Sequence, residues 1–251
     1  LKKEVLKDLP DKIEKNMMAR MEQEQKELYQ AHAQRLALTL QNQTEEEFAD
    51  SRFQVLSELT RLRQLCCDPA LVYENYEGGS AKLDLCIELI QSAVESGHKI
   101  LLFSQFTSMI EILTARLQEE SISCFVLQGS TKKEQRAQMV EQFNRDDTSV
   151  FCISLKAGGT GLNLTGADIV IHYDPWWNVA VENQATDRAH RIGQKNVVTV
   201  YKLIAKGTIE EKIIKLQQMK KELAEEILSG DEIKTASFQR EELLELLEER
   251  F

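Results

Sequence analysis

Apolar positions along the chain fall into two regimes. In the first, they recur at helical spacing. Leu28, Ala31, Leu36 and Leu40 mark one amphipathic helix over residues 22–40. Phe48, Phe53, Leu56, Leu59 and Leu62 mark a second, over 45–66. Thr44 with Glu47 three residues on predicts a capping box at its start, and Asp68-Pro69 ends it. Leu83, Ile87, Ile90 and Val94 mark a third helix, closed at Gly97. From Lys99 the second regime begins. Short apolar runs at 100–103, 124–127, 150–153, 169–173 and 197–204 read as strands. Helices fall between them, over 110–117, 132–143 and a stretch ending at Ile192-Gly193, with a long one over 209–228. Alternation of this kind predicts an α/β fold, a parallel sheet with helices on both faces. Ligands bind such sheets at the carboxyl ends of the strands. Residues 104–105, 128–131, 154–164 and 174–177 therefore share one rim.

Two segments sit outside this alternation. Residues 12–21 read as a strand after the turn signal Leu9-Pro10-Asp11. No other strand follows until residue 100, so the expectation is that it joins a sheet lying mostly outside this chain. Residues 229–251 read as a linker and an acidic amphipathic helix with Leu243, Leu244, Leu246 and Leu247. The expected organisation is thus 1–21, a helical region 22–97, the α/β core 98–228 and the C-terminal helix 229–251.

Composition narrows the class. The 251 residues are 42% hydrophobic and 29% charged, ordinary for a globular protein. No apolar run is long enough to span a membrane. No signal peptide is visible, and a first residue other than Met leads us to expect a piece of a longer protein. The five cysteines include no C-x-x-C pair, so metal binding is not expected; Cys124 and Cys152 read as small buried residues in a reducing compartment. The net charge of −10 argues against nucleic acid. The acid is concentrated in the N-terminal third and the tail, however, and residues 99–215 are close to neutral, which leaves room for a basic groove.

Locally, each candidate motif has two readings. Arg188 and Arg191, three apart at the end of the helix, would share a face and suit a phosphate chain, or simply favour a helix C-terminus. Ser154-Leu155-Lys156-Ala157-Gly158-Gly159-Thr160-Gly161-Leu162-Asn163 follows a strand and offers backbone N–H groups to an anion, or only a tight turn. It matches neither a Rossmann nor a P-loop pattern. Ser130 and Thr131 could hold a phosphate at a helix start or serve as its N-cap. Trp176 and Trp177 could pack on neighbours or stack on a base. His172 and His190 have no nucleophile or carboxylate pattern beside them, and we read them as structural.

Taken in order, these stretches carry a resemblance. Leu101-Leu102-Phe103-Ser104-Gln105-Phe106, Gly129-Ser130-Thr131, the 154–164 loop, Asp174-Pro175-Trp176-Trp177-Asn178 and Gln184-Ala185-Thr186-Asp187-Arg188-Ala189-His190-Arg191-Ile192-Gly193-Gln194 resemble the second RecA-like lobe of superfamily 2 helicases, the Swi/Snf-type DNA-translocating ATPases in particular. Leu62-Arg63-Gln64-Leu65-Cys66-Cys67-Asp68-Pro69 extends the likeness upstream. Val179 departs from the proline usual after Trp-Asn, which concerns only a helix start.

The resemblance implies roles. Arg188 and Arg191 match arginine fingers reaching ATP held on a first lobe, and Gln184 a residue near the γ-phosphate. Gly161 and Asn163 match positions near the ribose. Gln105, Thr131, Ser154 and Lys156 match contacts to the phosphates of one DNA strand, with Trp176 and Trp177 in a loop beside the DNA. ATP and Mg2+ are the implied cofactors, held mainly by the first lobe, whose Walker A and Asp-Glu-x-His motifs are not in this sequence. Residues 1–21 would then be the end of that lobe or the link from it. Implied partners are the first lobe, double-stranded DNA and DNA-bound proteins as remodelling targets. The fragment alone is expected to be inactive. With no large insertion after Trp177, a prokaryotic origin and a cytoplasmic, nucleoid-associated location are expected, or a nuclear one in a eukaryote. The competing reading is a non-catalytic RecA-like scaffold or interaction module.

Overall fold

Strands covered on both faces need apolar residues at every position, and the central runs satisfy this. In the computed structural model, which describes residues 9–155, 157, 162–226 and 240–247, β2 (Ile100–Ser104), β4 (Val150–Ser154) and β5 (Ile169–His172) are buried along their whole length. With β1 (Lys12–Ala19), β3 (Cys124–Leu127) and β6 (Val198–Ala205) they form a six-stranded sheet in the order β1-β6-β5-β2-β4-β3. All pairings among β2 to β6 are parallel, with Ile100 facing Val150 on one side and Ile169 on the other. The crossovers include α3 (Ala81–Glu95), α4 (Thr107–Glu119), α5 (Lys133–Phe143) and α6 (Val179–Thr186), which cover both faces of this RecA-like sheet. Leu101, Phe103, Phe151, Ile153 and Val170 pack with Phe143 of α5 and Ala185 of α6 in one buried cluster. Each such side chain contributes about 1.5–3 kcal/mol by leaving water. Cys152 is buried as expected; Cys124, near the sheet edge, is half-buried.

The expectation that residues 12–21 join another sheet is corrected by β1. It is the edge strand beside β6, and the Val198 N–H donates to the Asp11 carbonyl at 3.0 Å. The reason is that β6 would otherwise carry an open edge. The partners are far apart in sequence, so no local pattern could announce the pairing.

The chain divides into two compact units, 1–19 with 82–204 and 20–81 with 205–251. The division crosses the segments read from the sequence: α3 packs with the sheet. The second unit is helical, built from α1 (Gln23–Asn42), α2 (Glu45–Cys67), α7 (Ile209–Glu226) and α8 (Arg240–Leu247). Tyr29, Ala33, Leu36 and Leu40 of α1 and Val55, Leu59 and Leu62 of α2 are buried there. The predicted capping box is present. Glu47 N–H donates to Thr44 Oγ1 at 3.3 Å, and Thr44 N–H to Glu47 Oε2 at 2.8 Å. α8 buries Leu243, Leu246 and Leu247, and its Arg240 guanidinium donates to the Leu40 carbonyl at 2.8 Å and pairs with Glu45 at 3.1 Å.

His172 lies in the sheet core as the sequence reading expected. Its ring stacks on Phe103 at 5.6 Å, and Nε2 shares a 2.9 Å hydrogen bond with the Thr186 hydroxyl. Burial drives its pKa down from 6.5 to about 4; Glu182 opposes this and Lys202 adds to it. The unfolded chain therefore takes up this proton near pH 6.5, whereas the native state resists until about pH 4. Stability present above the unfolded value should be lost as pH falls across that window, by about 3 kcal/mol from this group. Urea denaturation of the native sequence and of His172→Phe at stepped pH tests this. The variant should lose the part of the slope between pH 6.5 and 4, and parallel curves would reject His172 as its source.

Candidate functional site at the sheet rim

β2 lies at the middle of the sheet, between β5 and β4. Crossovers leave in opposite directions from such a position and open a crevice beyond the strand ends. There the rim residues meet one buried carboxylate. Asp174, 1% exposed, lies two residues beyond the end of β5. Its Oδ1 accepts from Ser104 Oγ at 2.5 Å, and its Oδ2 from Gln105 Nε2. The Gln105 backbone N–H lies 3.3 Å from both oxygens. Ser154 ends β4 in register with Ser104, and the Leu155 N–H donates to the Ser104 carbonyl at 2.9 Å. Gln105 and Ser154 are thus brought together at neighbouring strand ends, both buried. The Gln105 amide nitrogen is turned onto Asp174.

Thr131 closes the turn after β3. Its hydroxyl accepts from Gln128 N–H at 3.0 Å, and its own N–H donates to the Gln128 carbonyl, also at 3.0 Å. It is not an N-cap, because Lys132 holds that position in α5 without a side-chain bond. Lys156 and Gly161 lie outside the described residues. Asn163 is exposed, and its carbonyl accepts from Asn144 Nδ2 at 2.8 Å. Trp176 and Trp177 are half-buried, in a loop fastened from beneath. The Trp176 N–H donates to Glu182 Oε1 at 2.7 Å, and Glu182 Oε2 pairs with Lys202 of β6 at 2.9 Å. Asn178 caps α6 by accepting from Ala180 N–H at 2.9 Å.

The arginines depart from expectation. α6 ends at Thr186, before either of them. Beyond it the ladder is mixed: the N–H groups of Arg188, Ala189 and Arg191 reach back only to Ala185, Thr186 and Ala189, while those of Asp187 and His190 still reach back four residues, to Asn183 and Thr186. The Arg188 carbonyl accepts instead from the Leu164 N–H of another loop, at 3.0 Å. A carbonyl claimed by a distant donor no longer continues the helical ladder. Gln194 completes the turn. Its Nε2 lies 2.7, 3.1 and 3.3 Å from the Ala167, Ala189 and Thr165 carbonyls, while Gly193 turns the chain with φ +104. Arg188 and Arg191 therefore do not share a helix face. Arg188 is buried, its guanidinium 5.5 Å from the centre of the Phe103 ring, whereas Arg191 and Gln184 are exposed.

Burial lowers the Arg188 pKa from 12.5 to about 10, and the neighbouring Arg136 of α5 pushes the same way. A like charge beside a buried guanidinium disfavours the cation, and an anion would relieve both effects. Sequence reasoning missed Arg136, Asp174, Glu182 and Gln194 as working parts. Arg136 reads as one more cation on a polar helix, and Asp174 was passed over beside the two tryptophans that follow it.

The fold matches known proteins. A family model for the helicase conserved C-terminal domain matches residues 81–193, and one for the SNF2-related domain matches residues 1–71. The solved C-terminal domain of the SWI2/SNF2 ATPase of Sulfolobus solfataricus is 32% identical, with TM-score 0.76 over 96% of this chain and 100% of that one. The chain belongs to the SWI2/SNF2 family. The core of the same archaeal ATPase in complex with dsDNA matches at 34% identity and TM-score 0.74, over 90% of this chain and 48% of that one. A protein of Mycoplasma pneumoniae named "Uncharacterized ATP-dependent helicase" is 41% identical over 98% of this chain and 24% of its own length. The SWI2/SNF2 chain thus spans about a quarter of such curated relatives. Among its described residues no group of three or more His, Cys, Asp or Glu could hold a metal ion, and no helix is long and apolar enough to cross a membrane.

Gln194 provides a test of how the arginine turn is built. Gln194→Glu keeps the volume but replaces the donating amide with an acceptor facing carbonyl oxygens. It should lower the unfolding free energy by about 2–3 kcal/mol. Chemical denaturation reads this directly, and a change under 0.5 kcal/mol would show that the three carbonyls are satisfied in another way.

Proposed function

We propose that this chain is the second motor lobe of an ATP-dependent double-stranded-DNA translocase or remodeller. The observation that carries the reading is the burial of the Arg188 guanidinium against Phe103 at the rim, where Arg136 adds a like charge. Both burial and like charge disfavour the Arg188 cation, and a polyphosphate placed there would offset both. In this reading ATP, bound between this lobe and a first lobe elsewhere in the protein, supplies the phosphoryl group whose transfer drives the motor. The Phe103 ring and the closed turn hold the Arg188 fork in one direction. Arg191, exposed in the same turn, and Gln184, exposed on α6, extend towards the γ-phosphate. Gly161 and Asn163 lie beside the ribose. Mg2+ is held mainly by the first lobe.

On the DNA side, Ser154, Thr131 and Lys156 contact the phosphates of one strand, joined by Gln105. Asp174 fixes the Gln105 amide nitrogen, so that contact runs through the rest of this side chain and its backbone. Trp176 and Trp177 present a loop that Glu182 and Lys202 hold against the sheet. Residues 1–21 lead in from the first lobe, with Lys12–Ala19 already part of this lobe's sheet. DNA-bound proteins are the remodelling targets, in the cytoplasm with the nucleoid of a prokaryote or in the nucleus of a eukaryote.

The purified 251-residue chain should hydrolyse no ATP, with or without duplex DNA, because it supplies only half of the site. DNA-stimulated turnover by this chain alone would overturn the two-lobe reading. In the full-length protein, Arg191→Ala should lower turnover by about 10³-fold or more. Duplex affinity should stay within a few-fold, since Arg191 is exposed and its removal leaves the core intact. Normal turnover in that variant would remove Arg191 from the active site.

Lys156→Ala should weaken binding to all duplex sequences alike, because phosphate contacts carry no sequence information. It should also reduce the slope of log affinity against log salt by about one unit. An unchanged slope would rule out the phosphate contact.

A further inference from the structure

The helical unit carries a second charged feature that the proposed motor does not use. A cleft of about 470 Å³ opens where the start of α1, the loop after β6, α7 and α8 meet. Its floor includes buried Tyr29, Leu246 and Leu247. Tyr29 is fixed there, since its hydroxyl accepts from the Ile209 N–H at 2.7 Å. Arg20, Lys26, Lys206, Lys212 and Lys215 line the walls and rim.

Among the described lining residues Glu211 is the one carboxylate, and it has partners of its own. It accepts from the Gly207 N–H at 3.0 Å and pairs with Lys215 at 3.3 Å. Five cations against one carboxylate run opposite in sign to a chain whose net charge is −10. Such a concentration raises the local density of anions and steers them inward.

We propose that this cleft binds an acidic peptide segment of a partner protein, one that carries an apolar side chain among its carboxylates. The charge of the rim selects the carboxylates, and the floor selects the anchor. The volume falls in the range of formed ligand sites, about 300–1,000 Å³. An extended peptide can place one side chain against Tyr29, Leu246 and Leu247 while its acidic neighbours reach the lysines on either side. Duplex DNA fits less well. It presents its phosphates on the outside of a broad rod and leaves an apolar floor uncovered.

The test uses the 251-residue chain and fluorescence anisotropy. The probes are a fluorescein-labelled peptide of glutamates flanking one phenylalanine, the same peptide with alanine in place of phenylalanine, and a short labelled duplex. The phenylalanine peptide should bind, and the alanine peptide should bind about tenfold more weakly. Lys206→Glu should weaken the phenylalanine peptide about tenfold. Arg61→Glu makes the same charge change at an exposed site on α2 outside the cleft, and should alter binding less than about twofold. The duplex should bind independently of Lys206. No peptide binding overturns the proposal, as does an equal effect of the two charge reversals. Loss of duplex rather than peptide binding in Lys206→Glu would make the cleft a DNA contact and overturn the peptide as its occupant.

Discussion

Asp174 gathers donors from a second strand end. The Ser104 hydroxyl and both the main-chain and side-chain nitrogens of Gln105 converge on its carboxylate, which is almost wholly removed from water. A buried acceptor set of this kind is demanding, because each donor left unmet costs about 1–3 kcal/mol. The C-terminal ends of β2 and β5 are therefore locked together by more than the sheet ladder. From β2 the constraint passes to β4 through the Leu155 N–H and the Ser104 carbonyl. Three loops that apolar packing could not position share one polar hub.

The arginine turn is fixed by the same kind of device. The Arg188 carbonyl is held by Leu164, and Gln194 reaches three further carbonyls, so main-chain groups a helix would have used are satisfied from outside it. The Arg188 side chain then rests on Phe103. Phe103 immediately precedes Ser104, so the ring beneath Arg188 and the hydroxyl that bonds Asp174 stand on adjacent positions of one buried strand. In the proposed motor, a movement of the arginine turn would press on Phe103 and would meet Asp174 one residue on. A contiguous packed route of this length suits a lobe whose two ligands must act together.

Most of the fold was legible because it rests on local periodicity. Continuous apolar runs gave β2 to β6, and amphipathic spacing gave α1 and α2 with the Thr44 cap between them. What escaped was long-range. β1 was recognised as a strand but not as a neighbour of β6, since nothing near residue 12 encodes residue 198. The end of α6 escaped for a related reason. Residues 187–191 are compatible with a helix by sequence, and the donors that hold the Arg188 and Ala189 carbonyls come from Leu164 and Gln194. Of the rim residues, those in recognisable motifs were named in advance. Asp174 was quoted within its motif without a role, and Glu182 and Arg136 were given none, because a buried carboxylate or a second arginine matters through neighbours that the sequence does not bring together.

Arg136 bears on why the rim reads as half of a site. A guanidinium pKa lowered from 12.5 to about 10 is still protonated at neutral pH, so Arg188 stays charged in the folded chain. Keeping it so costs folding about 3 kcal/mol, from desolvation first and Arg136 second. A surface helix end would carry no such cost, because water would solvate the charge and screen the neighbour. Hydrophobic packing elsewhere must offset the cost, and the core around Phe103 and Phe151 has the buried area to do so. An anion arriving beside Arg188 would recover part of this energy as affinity. The polyphosphate of the proposed nucleotide would do this only when another domain holds it at the rim, which ties the electrostatics of Arg188 to closure of the two lobes.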